Sequence, residues 1–244
     1  MPRPAPQVPQ RLLRFPELLN ARELGGYPTL DGGMTRWRSL LRADDLVQLT
    51  SEGLQALADY GVRTVIDLRW PGEVAAKPHP LARSRQGVRY HQVSLLAGNE
   101  LEWAGLAGEC QKEMWKCAVL EHTRPQLRDV LQLIADAADE PLLFHCVAGK
   151  DRTGLIAALV LALADVVPEA IAEDYAASTA RLADAYVVRY SNLERAEILE
   201  ALRCPEQGVH NMLDYLAHYG GAAGYLGAIG LDEATIARLR ARLR

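Results

Sequence analysis

The chain has no apolar run long enough to cross a membrane. The longest, Leu155–Leu163, falls far short of the roughly 18 residues a span requires. Nor is there a block of basic residues. With 27 basic side chains against 31 acidic ones, the net charge is −4, which leaves no electrostatic footprint for nucleic acid. Cysteine is scarce: four residues, at positions 110, 117, 146 and 204, without a C-x2-C pair. Neither a zinc centre nor a dense disulfide framework is therefore expected. A Walker-type nucleotide loop is excluded too. Gly149-Lys150 is followed by Asp151 rather than Ser or Thr, and no earlier glycine stands at the required spacing. The opening, MPRPAPQVPQ, lacks the apolar core of a secretory signal; a proline-rich tail over residues 1–12 and a cytoplasmic location are expected.

What the chain does have is concentrated in Pro141–Asp165, PLLFHCVAGKDRTGLIAALVLALAD. A short apolar run reaches His145-Cys146, a compact loop VAGKDR follows, and Thr153-Gly154 opens a strongly apolar segment. This reads as strand, loop, helix. The pattern H-C-x5-R-[ST]-G suits attack on a phosphate monoester by a thiolate. Backbone N–H groups from Val147 to Arg152 can turn inward as an anion nest, and the helix aims the positive end of its dipole at the same point. Both favour an ionised sulfur at Cys146, the species that attacks phosphorus. Arg152 brings a planar fork able to hold two phosphate oxygens at once.

The expected phosphate-binding set is Val147, Ala148, Gly149, Lys150, Arg152 and Thr153. Gly149 permits a positive φ or a close backbone approach. Lys150 adds positive charge at the mouth, and Thr153 can hydrogen-bond the sulfur as it leaves. His145 is expected to orient the loop through a backbone hydrogen bond. Asp151, on the rim, can protonate the leaving alkoxide and then activate water. The catalytic set is Cys146, Asp151 and Arg152, with no metal and no cofactor. In the plainer alternative, Cys146 is a small buried hydrophobe and Lys150, Asp151 and Arg152 form a solvated turn. That alternative requires Cys, Gly, Arg and Thr-Gly to share these offsets by coincidence.

HCVAGKDRTG resembles the signature loop of the cysteine-dependent tyrosine phosphatases, and its Ala-Gly-Lys-Asp centre is similar to that of their bacterial branch. The resemblance implies a nucleophile at Cys146, a phosphate clamp at Arg152 and a general acid at Asp151. It also implies hydrolysis through a phosphocysteine, with a phosphotyrosine protein as substrate. The lysine-containing loop resembles phosphoinositide phosphatases as well, so a lipid phosphate is the alternative partner. The likeness extends to NARELGGY from Asn20, where Ala21 and Glu23 depart from the family's Asn-Phe-Arg-Asp opening, to Asp67-Leu68-Arg69, and to YGGAAGYLGAIGL near the end. By that analogy Arg42 approaches the site and Asp67 is a second candidate acid, unless it pairs with Arg69. A rhodanese-type sulfur transferase and a phosphate-binding pseudoenzyme are the rivals. His145 before Cys146 and Thr153-Gly154 after Arg152 weigh against the first. The presence of both Cys146 and Arg152 weighs against the second.

The length of 244 residues and a hydrophobic share of 49% suit one α/β domain, expected over residues 13–244. Thr50 can cap a helix that Gly61 stops. VRTVIDLR and VRYHQVS read as strands, and Asp31-Gly32-Gly33 as a hairpin turn. Thr123 is placed to cap a helix reaching about Ala138, and Glu73 is expected on the surface. From Pro168 the apolar spacing is helical throughout, with Asp232 suited to a helix N-cap. Residues 95–120 show weak helical periodicity and form either a core-packed helix or a helical lid. The expected fold is α/β: a central parallel-rich sheet flanked by helices, with the phosphate loop at the carboxyl end of its strand and a mostly helical C-terminal third.

Overall fold

The computed structural model describes residues 11–15, 17–83, 87–96 and 112–244. Strands β1 (Arg22–Glu23), β2 (Leu40–Ala43), β3 (Thr64–Asp67), β4 (Arg89–Gln92) and β5 (Leu142–His145) form one sheet in the order β1-β2-β5-β3-β4. β1 runs antiparallel to β2, and the other neighbours are parallel. Side chains alternate between two buried faces, as the period of a strand requires. Leu40, Ile66, Leu142 and Phe144 enter the larger core. Leu41, Ala43, Val65 and Leu143 enter the smaller one. A central strand buried on both faces reads as a continuous apolar run, as LLF does in β5.

The smaller core is covered by α1 (Ser51–Tyr60), which buries Leu57. Its ends are the expected ones. Thr50 accepts a hydrogen bond from the Gly53 N–H, and Gly61 stops the helix at φ +100°. On the other face lie α4 (Arg124–Asp136), with Leu127, Val130, Leu131 and Ile134 inward, and α5 (Asp151–Leu163), which is buried almost all round. Helices α6 (Pro168–Arg189), α7 (Arg195–Leu202), α8 (Gln207–Ala217), α9 (Ala222–Ala228) and α10 (Glu233–Ala241) complete the helical C-terminal third. Asp232 caps the last of them through the Thr235 N–H. No helix among the described residues is long and apolar enough to cross a membrane.

The turn expected at Asp31-Gly32-Gly33 is present: the Thr29 N–H donates to the Gly33 carbonyl at 3.0 Å and the Thr35 N–H to the Tyr27 carbonyl at 2.8 Å, Pro28 bridges Met34, and further out β1 pairs antiparallel with β2. One local expectation needs correction. Thr123 stands at the N-cap of α4, but its side chain does not cap that helix. Its hydroxyl donates to the Val119 carbonyl at 2.8 Å, closing the preceding helix α3 (Trp115–His122). Residues 1–10 of the expected tail and residues 97–111 of the expected lid lie outside the described residues.

The sheet register positions the site. Ala43 of β2 and Asp67 of β3 both pair with His145 of β5, so three parallel strands end level with one another. Cys146 therefore leaves the sheet at the carboxyl edge, where open α/β sheets bind ligands.

Candidate active site

The loop from Cys146 to Lys150 is held by its carbonyls. That of Val147 accepts from the Asp45 N–H at 2.9 Å. Asn20 Nδ2 donates to Ala148 at 2.9 Å and to Gly149 at 3.1 Å. Arg42 Nη2 also donates to Gly149, at 2.6 Å. The carbonyls of three successive residues, Val147, Ala148 and Gly149, are thus tied to groups outside the loop. Gly149 makes the curl feasible. Its φ is +62°, and a Cβ there would stand 2.3 Å from the Ala43 carbonyl oxygen. Gly154 is needed for close packing instead, since a Cβ on it would meet the Tyr175 ring at 2.8 Å.

Behind the loop sits a buried charged cluster. Arg42, fully buried, pairs with Asp174 of α6, as does Arg22 at 2.7 Å. Arg22 also donates to the Asn20 side chain at 2.6 Å, and Tyr27 to Asp174 at 2.8 Å. Burial would raise the Asp174 carboxyl, but Arg22 and Arg42 outweigh it and hold the group well below the usual range. Arg42 thus reaches the loop, as the family resemblance implied, from a buried position. Arg22, Asn20 and Asp174, which its support depends on, were not singled out from sequence. One cue was available: Asp174 falls on the apolar face of α6 with Ala170, Ile171 and Ser178, a position that demands a buried partner.

Arg152 points its fork at Glu73, with Nη1 2.6 Å from Oε2 and Nη2 2.9 Å from Oε1. Glu73 is therefore not the free surface residue that the sequence suggested. It is fixed in turn by the Trp70 N–H at 2.8 Å, and Trp70 lies under the guanidinium at 5.3 Å. Burial opposes ionisation of Glu73, but its hydrogen bonds to Arg152 prevail and lower it.

Asp67 takes the alternative role, the pair with Arg69, rather than that of an acid. It is fully buried, bound by Arg69 at 2.7 Å and by the Tyr90 hydroxyl at 2.8 Å. Burial raises it, but hydrogen bonds from Arg69 and the charges of His145 and Arg69 bring it down to about 2, so it has no proton to give near neutrality. His145 Nδ1 lies 3.0 Å from the Cys146 carbonyl, the backbone bond expected of it. Asp67, His79 and His145 bring ligand atoms within 4.8 Å of one another, yet they do not fit a metal. Arg69 occupies the carboxylate. His79 Nδ1 accepts from the Leu81 N–H, which leaves its proton on Nε2, the atom that would face the ion.

Asp151 opens α5 and stays partly exposed. Its Oδ1 accepts from the Tyr175 hydroxyl at 3.0 Å. Tyr175 is raised well above 10, first by burial and then by the charge of Asp151, so it remains a donor. Lys150 departs from expectation: its side chain is buried and its Nζ donates to the Ala201 carbonyl at the end of α7, 2.8 Å away. The same Nζ lies 3.6 Å from Asp151 Oδ2, so the positive charge expected at the mouth is set against the rim carboxylate. Thr153 Oγ1 is buried without a hydrogen-bond partner among the described residues.

A cysteine leaving a buried parallel strand into a curled loop, with an arginine and the start of a buried helix at the far side of that loop, is the arrangement expected of a phosphatase of the thiolate class. The sequence model of the tyrosine phosphatase family matches residues 13–244, and the chain belongs to that family. A tyrosine-protein phosphatase of Nostoc commune is 35% identical over 221 residues, covering 84% of this chain and 74% of that protein. The triple specificity protein phosphatase PtpB of Mycobacterium tuberculosis is 27% identical over 249 residues, covering 82% and 89% respectively. Among solved structures, a variant of P. aeruginosa TpbA in complex with pTyr aligns at 17% identity with a TM-score of 0.37. It covers 68% of this chain and 86% of that one.

Proposed function

We propose that this tyrosine phosphatase acts on phosphotyrosine in proteins through a covalent phosphocysteine at Cys146. In the first step the Cys146 thiolate forms a bond to phosphorus and the ester P–O bond breaks. The proton on Asp151 passes to the departing tyrosine oxygen. In the second step water attacks the phosphocysteine, giving its proton to the Asp151 carboxylate, and the S–P bond breaks to return the thiolate and inorganic phosphate. Arg152 and the inward N–H groups hold the equatorial oxygens in both steps. Thr153 supplies a hydroxyl to the sulfur as it leaves.

The observation that carries this reading is the outward tethering of the loop carbonyls by Asn20, Arg42 and Asp45. A loop so held presents its N–H face to an anion before any substrate arrives, which is the preorganisation electrostatic catalysis needs. The phosphoinositide alternative rests on the likeness of the loop containing Ala148 and Lys150 to those of lipid phosphatases. The Lys150 ammonium is shared between the Ala201 carbonyl and the Asp151 carboxylate, which leaves it less free to meet a second phosphate of a lipid headgroup, so protein phosphotyrosine is favoured. A cytoplasmic location suits a reaction that needs a reduced thiol.

Single-turnover hydrolysis of a phosphotyrosine peptide, a phosphoserine peptide and a phosphoinositide panel tests this, with Cys146→Ser as control. Fast Cys146-dependent turnover of the tyrosine peptide is expected. Faster turnover of the lipid would keep the chemistry and overturn the substrate, and full activity in Cys146→Ser would overturn the mechanism.

A further inference from the structure

Lys116 lies on α3, and its side chain is fully buried. Its Nζ stands 3.2 Å from the centroid of the Tyr175 ring and has no hydrogen-bond partner among the described residues. An ammonium group is strongly hydrated, and burying it without a hydrogen bond is costly. Cys117, Val119 and Leu120 are buried beside it on the same helix, so a leucine or methionine would serve packing better. The ring beneath the ammonium belongs to the tyrosine whose hydroxyl reaches Asp151 Oδ1 at 3.0 Å. Cation, phenol and carboxylate run in sequence from the core to the rim of the phosphate loop.

We propose that Lys116 and Tyr175 are positioning residues for Asp151, holding its carboxylate in place, favouring its ionised form and so setting the pH range over which it can deliver a proton. The proposal rests on the reading of Asp151 as the general acid. The Tyr175 hydroxyl donates to the carboxylate and stabilises its charged form. A cation on the face of the ring strengthens that phenol as a donor, and the ammonium also attracts the carboxylate directly.

The groups acting on Lys116 come from several elements: Asp151 of α5 and Lys150 beside it, Arg42 of β2, Tyr175 of α6 and Cys204 beyond α7. Asp151 itself faces the Tyr175 hydroxyl at 3.0 Å, the Lys150 ammonium at 3.6 Å and the charge of Arg152. Burial is the largest influence and lowers Lys116 to about 7; Asp151 and Cys204 raise it, while Arg42 and Lys150 lower it. The ammonium is thus charged on the acid side of neutrality, where a carboxyl must hold its proton for the first step, and fades above it.

The test is the pH profile of kcat/KM on a phosphotyrosine peptide. It compares wild type, Lys116→Met, Lys116→Arg and Tyr175→Phe, each with and without Asp151→Asn. Removing the ammonium makes the carboxylate harder to form, so the alkaline limb of Lys116→Met should move up by about one pH unit. Tyr175→Phe should move it the same way, and Lys116→Arg should return it toward wild type. In the Asp151→Asn background there should be no such limb to move.

A uniform loss in Lys116→Met and Tyr175→Phe at every pH, with the limb in place, would reduce both residues to packing and overturn the proposal. If Asp151→Asn keeps the wild-type limb, the assignment of Asp151 fails and takes this proposal with it. If Asp151→Asn removes the limb while the other variants leave it unmoved, only the proposal falls. Thermal unfolding identifies a Lys116→Met protein that does not fold; Tyr175→Phe, which keeps the ring, then decides the matter.

Discussion

Arg152 and Glu73 meet fork to fork, the two Nη nitrogens of one facing both carboxylate oxygens of the other at 2.6 and 2.9 Å. The pair spans 79 positions of sequence and fixes the plane of the guanidinium proposed as the phosphate clamp. Without Glu73 the guanidinium would regain rotamer freedom and lose its aim. Glu73→Ala should lower kcat/KM by about 10–100-fold on the precedent of small misplacements at reacting centres. Arg152→Lys, which keeps charge but not the fork, should cost about 10²–10³-fold. Steady-state kinetics on one phosphotyrosine peptide checks both. Equal activity in Glu73→Ala and wild type would dismiss the orienting role.

Gly149→Ala should break the loop rather than merely strain it. The residue has φ +62°, and the new methyl would sit 2.3 Å from the Ala43 carbonyl oxygen. Left-handed backbone at a non-glycine residue costs about 1–3 kcal/mol, and the clash with rigid β2 adds to that. Urea unfolding should show a loss at least in that range, and vanadate should no longer bind. Retention of vanadate affinity would mean that the loop can curl another way.

Asp151→Asn should slow turnover most for aryl phosphates with poor leaving groups. A good leaving group departs without a proton, so the dependence of rate on leaving-group pKa should steepen in the variant. The same loss across the whole series would remove Asp151 from the role of acid.

Stability should fall as the solution is acidified, in two stages. Burial and the neighbouring His145 lower His79 to about 3 from an ordinary 6.5. Between those values the unfolded chain binds a proton that the folded one refuses, so stability drops by up to about 1.4 kcal/mol per pH unit. Asp174 is held well below the carboxylate range by Arg22 and Arg42. Its contribution is complete above about pH 4 and is lost as the pH falls through the acid range. Urea titrations at successive pH values should show His79→Phe flattening the slope between pH about 6.5 and 4. Asp174→Asn should cost about 3–5 kcal/mol near neutrality, because Arg22 and Arg42 stay buried. An unchanged slope in His79→Phe would refute the first stage.

The phosphate loop was legible because its chemistry is contiguous: Cys146, Gly149, Arg152 and Thr153-Gly154 carry their spacing within ten residues, between a short apolar strand and an apolar helix. The sheet was legible for a similar local reason, through the short buried runs TVID and LLFH. What could not be read is what these residues lean on. Glu73, Asn20, Tyr175 and Lys116 are ordinary polar residues on their own segments and acquire meaning only from partners tens to more than a hundred positions away. Asp67 and Arg69 show the converse case. Their place at a strand end allows either an acid or an ion pair; two residues of separation let them pair, and nothing in the local pattern says which outcome prevails. The fate of Lys150 depended likewise on the end of α7, which only the tertiary packing brings to it.

The central claim is that phosphate passes through Cys146. Rapid quenching of Asp151→Asn during turnover of a phosphotyrosine peptide, followed by peptide mapping, measures this directly. The account predicts one phosphoryl group on the peptide containing Cys146, formed at the rate of tyrosine release and absent from Cys146→Ser. Release of tyrosine with no covalent phosphate on that peptide, or undiminished turnover in Cys146→Ser, would contradict it.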